Sequence, residues 1–148
     1  MKTELSSSGK RLIFWGICLF LAGILQGLAI PYFTIPRMGL SAHLAAVQGG
    51  MVLIVFGVIW RFIILGDKYL NITCYASIAG MYLVWFAITL SAILGAGESL
   101  PIAAAGFSST PFNELIVEAI LTLGALLLIV STVFIVRGLS KKSQECSE

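Results

Sequence analysis

Residues 112–136 read "FNELIVEAILTLGALLLIVSTVFIV", and from Ala119 to Val136 the chain carries no charge until Arg137 closes the run. A helix crosses roughly 30 Å of hydrocarbon with about 20 residues, so this stretch is long enough to span a membrane. Its apolar residues do not alternate with polar ones, which selects a helix over a barrel strand, because backbone polar groups in lipid must be satisfied within the segment. Working outward, three more apolar runs of spanning length appear: Leu12 to Tyr32, Ala42 to Trp60 and Ile72 to Leu94. Of the 148 residues, 59% are hydrophobic and 11% charged, and the mean hydropathy is +1.02. These values lie outside the range of soluble domains. The predicted class is an all-α membrane protein: residues 1–148 as one four-transmembrane-helix bundle with short polar tails and no internal repeat.

Orientation follows from basic residues. Lys2, Lys10, Arg11, Arg61, Lys68, Arg137, Lys141 and Lys142 fall on one side of the predicted topology, and Arg37 alone on the other. Because Lys and Arg are retained in the cytoplasm, both termini and the "RFIILGDKYLN" connection are expected there. The first span has a basic start but an overlong apolar run and no clear cleavage site, so it is read as a retained helix. Cys18, Cys74 and Cys146 show neither metal-ligand nor disulfide spacing and are read as reduced thiols. The Asn71-Ile72-Thr73 sequon lies on the expected cytoplasmic side and is read as a chance match.

With no soluble domain, function is expected inside the bundle. Ser41 is a candidate cap for the second span, and Thr110-Pro111 marks the start of the fourth, with proline at the first helical position. His43 is the chain's one histidine. Two residues past a Ser41 cap, it would sit at the positive end of a helix, which keeps imidazole neutral with a free lone pair. Zinc needs more ligands than this neighbourhood offers, whereas haem iron already holds four macrocycle nitrogens and accepts one histidine, leaving its sixth position open. Ala42, Ala45, Ala46, Gly49 and Gly50 leave two readings open: close helix packing, or room for a flat ligand.

Glu114 and Glu118 share a face four residues apart at one end of the fourth span. Glu114 is read as a solvated first-turn carboxylate favoured by the helix dipole. Glu118, a turn deeper, is a candidate partner for Arg37 or a proton acceptor. Tyr75, Tyr82 and Phe86, flanked by Trp85, form a stripe on the third span that either packs or offers a hydroxyl, at Tyr82, to a substrate in an aromatic-lined pocket. Gln26 and Gln48 are expected to hydrogen-bond between helices. The loop "GESLPIAAAGFSST" either folds over the mouth of the bundle or is an inert connection.

The stretch "IPRMGLSAHLAAVQGGM" at 35–51 and "PIAAAG" at 101–106, set among four spans, resembles the hydroxylaminobenzene mutase family and the related membrane styrene oxide isomerases. The resemblance runs from about residue 12 to residue 138. It implies small subunits assembled as a homotrimer around haem b in a bacterial inner membrane, with His43 as the axial iron ligand and Ala46, Gly49 and Gly50 beside the cofactor. The implied reaction is an isomerisation without net redox change, of an aryl hydroxylamine to an aminophenol or an aryl epoxide to an aldehyde. Ferric iron would polarise the substrate as a Lewis acid.

The chain departs from the family pattern where an Asn follows the histidine by six residues and another lies on the third span: Gly49 and Val84 stand there. Tyr82, Gln48 and Glu118 are candidates to supply the missing polar contacts. Two other functions stay open. One is a non-catalytic haem-binding sensor that uses the open iron position, and the other a haem-free tetraspan transporter or scaffold in which Glu114 and Glu118 handle protons or ions.

Overall fold

The structure, a computed structural model, describes residues 5–104 and 106–145, with side chains to residue 140. Lys2 and Cys146 lie outside the described residues. Four long helices, α1 (Ser7–Ala29), α2 (Pro36–Ile59), α3 (Asp67–Leu94) and α5 (Pro111–Glu145), are joined by short connections, one of which contains the four-residue helix α4 (Pro101–Ala104). All four long helices are apolar enough over sufficient length to cross a membrane.

Helix ends follow local chemistry. Ser6 caps α1 by accepting the Gly9 N–H at 3.1 Å. The start of α2 differs from the sequence expectation: the helix begins at Pro36, not at Ala42, and no side chain caps it. Pro36 occupies the first turn, where its missing N–H costs nothing, and Ser41 is already inside the helix, donating to the Arg37 carbonyl at 3.2 Å. At the far end of α3, Gly95 adopts φ 72° as a left-handed cap, its N–H bonded to the Ser91 carbonyl at 3.0 Å.

The long helices form two antiparallel hairpins. In the first, Gly9, Gly16 and Gly23 recur every seven residues on α1 and meet α2 where a second seven-residue series, Gly57, Gly50 and His43, runs the opposite way. A Cβ on Gly16 would lie 2.7 Å from the Gly50 carbonyl oxygen, and a Cβ on Gly57 2.7 Å from that of Gly9. The backbones themselves are in contact, as small residues permit in lipid. In the second hairpin, α3 and α5 approach at Gly80 and Gly124, where a Cβ on Gly80 would lie 3.1 Å from the Gly124 carbonyl oxygen.

The hairpins join through α2 and α3, with Leu12, Leu19, Ala46, Leu53, Trp60 and Cys74 among the buried residues of the main core. Each connection is pinned to a neighbouring element. Thr34 Oγ1 donates to the Ile93 carbonyl at 2.7 Å, the Ile35 N–H to that of Ala92 at 3.1 Å, and the Ile64 N–H to that of Gly138 at 3.0 Å. The fourth span does not close a bundle. Among the long helices the α5 backbone approaches α3 closely but neither α1 nor α2, so α1, α2 and α3 cluster while α5 stands on the outer side of α3, joining the main core through Ile135.

Candidate functional site

His43 lies in the α1–α2 seam, and its position corrects the dipole argument. It is two turns inside α2, not next to a cap, and the field of a helix end fades within the first turn. The imidazole is governed by a different contact: Nδ1 lies 2.6 Å from the carbonyl oxygen of Gly23 on α1. A carbonyl has no proton to give, so Nδ1 carries the hydrogen, and in the neutral ring the lone pair lies on Nε2. The ring rests over Gly27, where a Cβ would lie 3.1 Å from Nδ1 and 3.2 Å from Cε1. His43 remains half-buried.

The small residues of α2 face protein. Ala46 meets Gly23, where a glycine Cβ would come within 2.8 Å of the Ala46 methyl; a Cβ on Gly49 would lie 3.2 Å from Met81 Sδ and 3.3 Å from Leu19; and one on Gly50 would meet Gly16 and Phe20. In this protomer Ala46, Gly49 and Gly50 therefore serve the approach of α1 and α3, and the space in front of them is filled. Val84 packs toward Gly124 in the α3–α5 contact. Neither Gly49 nor Val84 opens onto the ring of His43.

A polar network crosses the α1–α3 seam. Gln26, buried on α1, donates from Nε2 to Thr89 Oγ1 at 3.0 Å and accepts the Trp85 indole N–H at 2.6 Å, while Thr89 Oγ1 donates to the Trp85 carbonyl at 2.8 Å. The side-chain polar atoms of Gln26, Trp85 and Thr89 thus partner one another, as lipid demands. The Tyr82 hydroxyl donates to the Trp15 carbonyl at 3.0 Å, and the Tyr82 ring stands edge-on to both Trp15 and Trp85. The tyrosine stripe splits: Tyr75 is exposed and receives a hydrogen bond and a cation–π contact from Arg11, and Phe86 is exposed. Sequence reading expected Gln26 to bond between helices but missed Thr89 and the role of the Trp85 indole. Thr89 four residues after Trp85 was the available signal.

Glu114 is no solvated first-turn residue. It is 6% exposed, and its carboxylate accepts the N–H groups of Gly97 at 2.9 Å, Glu98 at 3.1 Å and Ser109 at 2.9 Å. These bonds tie the connection between α3 and α5 back onto α5. The same connection packs Ala104 and Leu100 against Ile35, Met38 and Ala92, so the loop folds over that end of the α2–α3 pair. Glu118 and Gln48 instead lie on exposed faces of α5 and α2. The Arg37 pairing expected for Glu118 does not occur within the protomer: no ion pair joins these two described residues, and the backbones of α2 and α5 do not approach each other closely.

One protomer therefore separates the candidate residues: His43 in the α1–α2 seam, Tyr82 in the α1–α3 seam, and Gln48 and Glu118 on outer faces. A groove lined by Leu65, Tyr69, Phe134 and Arg137 lies at the other end of the molecule, far from this chemistry. Among the described residues no three His, Cys, Asp or Glu side chains converge to hold a metal by themselves. A metal that brings its own equatorial ligands and asks for one imidazole fits His43.

No solved structure matches the chain at a significant level. Two curated relatives from Ectopseudomonas oleovorans do. Hydroxylaminobenzene mutase HabA is 39% identical over 107 residues, which cover 72% of this chain and 79% of HabA. Hydroxylaminobenzene mutase HabB is 38% identical over 123 residues, 82% of this chain and 75% of HabB. The family profile described as styrene oxide isomerase matches residues 8–140. With nearly all of its spanning segments inside that match, the chain belongs to the styrene oxide isomerase family and is an intramolecular isomerase.

Proposed function

We propose that this protein is a haem b-dependent membrane isomerase that rearranges a small aromatic hydroxylamine, or the related aryl epoxide, with His43 Nε2 as the iron ligand. The observation that carries the reading is the 2.6 Å contact between His43 Nδ1 and the Gly23 carbonyl. It leaves one imidazole lone pair for a metal, in the arrangement by which a backbone acceptor orients a ligating histidine. When bound, ferric haem supplies a Lewis acid that draws electron density from the substrate oxygen or nitrogen. The chain supplies orientation and a dry environment. Trp15, Tyr82 and Trp85 make an aromatic seam of the kind that suits an aryl ring, and exclusion of water protects a cationic species from trapping. The hydroxylamine has the stronger support, since both relatives carry that substrate in their names.

Assembly belongs to the same proposal. Leu115, Leu126, Ile129 and Val133 on α5 and Leu40, Leu44, Met51 and Val55 on α2 are exposed. Glu118 and Arg37 are exposed as well, with no ion-pair partner among the described residues. Charges beside lipid are costly unless paired. Both helices begin at the same end of the molecule, so a second copy that lays α5 on α2 pairs Glu118 with Arg37, and repetition of that contact closes a homotrimer in which Gln48, Glu118 and Tyr82 border the substrate. Both termini lie in the cytoplasm, by the charge bias, of a bacterial inner membrane.

The test is the visible spectrum and haem content of the detergent-purified protein beside His43→Ala, followed by turnover of hydroxylaminobenzene and styrene oxide. A Soret band lost or shifted in the variant, with turnover falling at least about 100-fold as expected when a transition-state contact is removed, supports the proposal. A well-folded native protein that takes up no haem after supplementation overturns it. For the assembly, Glu118→Arg is expected to break the oligomer, and Glu118→Arg combined with Arg37→Glu to restore it.

A further inference from the structure

The glycine series on α1 and the series on α2 keep one register, in which Gly9 meets Gly57 and Gly16 meets Gly50. Seven residues further along, the position opposite Gly23 holds His43, the first member of the α2 series with a side chain. Because the two preceding contacts bring the backbones together, the imidazole enters a seam with no depth to spare. It is held there by the bond from Nδ1 to the Gly23 carbonyl, and it lies over Gly27, which one turn along α1 has no Cβ.

We propose that Gly27 and the Gly23 carbonyl are positioning elements for His43: together they select the tautomer protonated at Nδ1 and aim Nε2 as the single free lone pair. A carbonyl oxygen has two lone pairs, so Gly23 can accept its helical N–H and the imidazole at once. Free histidine side chains in water favour the proton on Nε2, so holding the other tautomer requires a fixed acceptor. The Gly23 carbonyl is fixed, being backbone in the middle of a helix. Gly27 then fixes the ring plane. A methyl there would lie 3.1 Å from Nδ1 and 3.2 Å from Cε1, inside ordinary van der Waals contact, so the ring would have to shift by a few tenths of an ångström from its place against the Gly23 carbonyl. The consequence for iron rests on the haem reading above; the tautomer does not.

A chain with one histidine permits a direct measurement. Full-length, haem-free protein labelled with ¹⁵N-histidine in nanodiscs yields one pair of ring-nitrogen resonances, both from His43. The expected result is a protonated Nδ1 and an unprotonated Nε2. Gly27→Ala is expected to shift the population toward Nε2–H and to weaken haem binding by about 10–100-fold, the usual cost of losing the group that orients a metal ligand. In the ferrous haem-loaded protein it should also lower the iron–histidine stretching frequency in resonance Raman spectra. Gly66→Ala, where a Cβ meets only Tyr69 at 3.9 Å, is the control and should change none of these.

A native protein with its proton on Nε2 overturns the inference even if it binds haem. A native Nδ1–H tautomer in a protein that refuses haem leaves the positioning intact and removes the haem reading. Unchanged spectra in a folded Gly27→Ala variant strike out Gly27. If that variant does not fold, the native tautomer alone still decides the role of the Gly23 carbonyl.

Discussion

The two helix hairpins solve one packing problem and differ in what they leave over. In α1–α2, glycine faces glycine at two levels, a Cβ at either level would lie within 2.8 Å of a carbonyl oxygen, and at the third level the seam holds an imidazole. In α3–α5 the approach at Gly80 and Gly124 is looser, with a Leu128 side chain over Gly80. The buried polar groups on these two helices near it, Thr73, Ser77 and Ser131, are hydroxyls. A hydroxyl can return its proton to its own helix, as Ser77 does to the Thr73 carbonyl at 2.8 Å. An imidazole has a second nitrogen left after its first is satisfied. The comparison teaches that close approach is a general device in this protein, and that chemistry arises where the residue it traps has more bonding capacity than the seam can absorb.

The sharpest way to break the contrast is Gly50→Ala. Its Cβ would meet the Gly16 carbonyl oxygen at 2.7 Å and the Phe20 backbone nitrogen at 2.7 Å, rigid backbone on both counts. The hairpin must open, at a cost of about 3 kcal/mol by comparison with other overpacked cores, and the His43–Gly23 bond is lost with it. Thermal unfolding in detergent should show the destabilisation, and labelled-histidine spectra the lost contact. Gly80→Ala in the other hairpin meets the Leu128 side chain at 2.8 Å and the Gly124 carbonyl oxygen only at 3.1 Å, and should cost about 1 kcal/mol, with the histidine spectra unchanged.

Glu114→Ala tests the connection of the second hairpin. It strands three N–H donors, each worth about 1–3 kcal/mol when truly buried and less where water can enter. A net loss of about 2 kcal/mol is expected, together with faster hydrogen exchange at Gly97, Glu98 and Ser109, while α1–α2 keeps its protection. The smallest effect is expected from Thr73→Val. Thr73 Oγ1 is buried without a hydrogen-bond partner, so its removal at constant shape should be neutral or stabilise by up to about 1 kcal/mol. Thermal unfolding is the check, and a marked loss would show that the hydroxyl is satisfied after all.

What could be read from the chain followed from how local each property is. Four spans were legible because apolar length is a property of one segment. Pro111 was read correctly as a helix start. Pro36 carries the same signal, but Ser41 offered a competing cap, and only the structure shows Ile35 pinned to the Ala92 carbonyl immediately before the helix begins. His43 was singled out through a helix-end argument that its depth inside α2 removes; what the structure shows instead is a bond to a carbonyl twenty residues away in sequence. Glu114 was misread because its partners, Gly97, Glu98 and Ser109, meet it only when the loop returns.

By itself the sequence determined a membrane-spanning, four-helix chain and, through its most distinctive stretch, a family, since hydrophobic length and residue chemistry need no partner to be recognised. Tertiary structure alone decided that α5 stands outside the α1–α2–α3 cluster, that the glycines of α2 are spent on helix contact, and which imidazole nitrogen is free. Those outcomes depend on two helices meeting at a particular register. A hydrogen bond between helices is a property of that meeting and is written in neither segment separately.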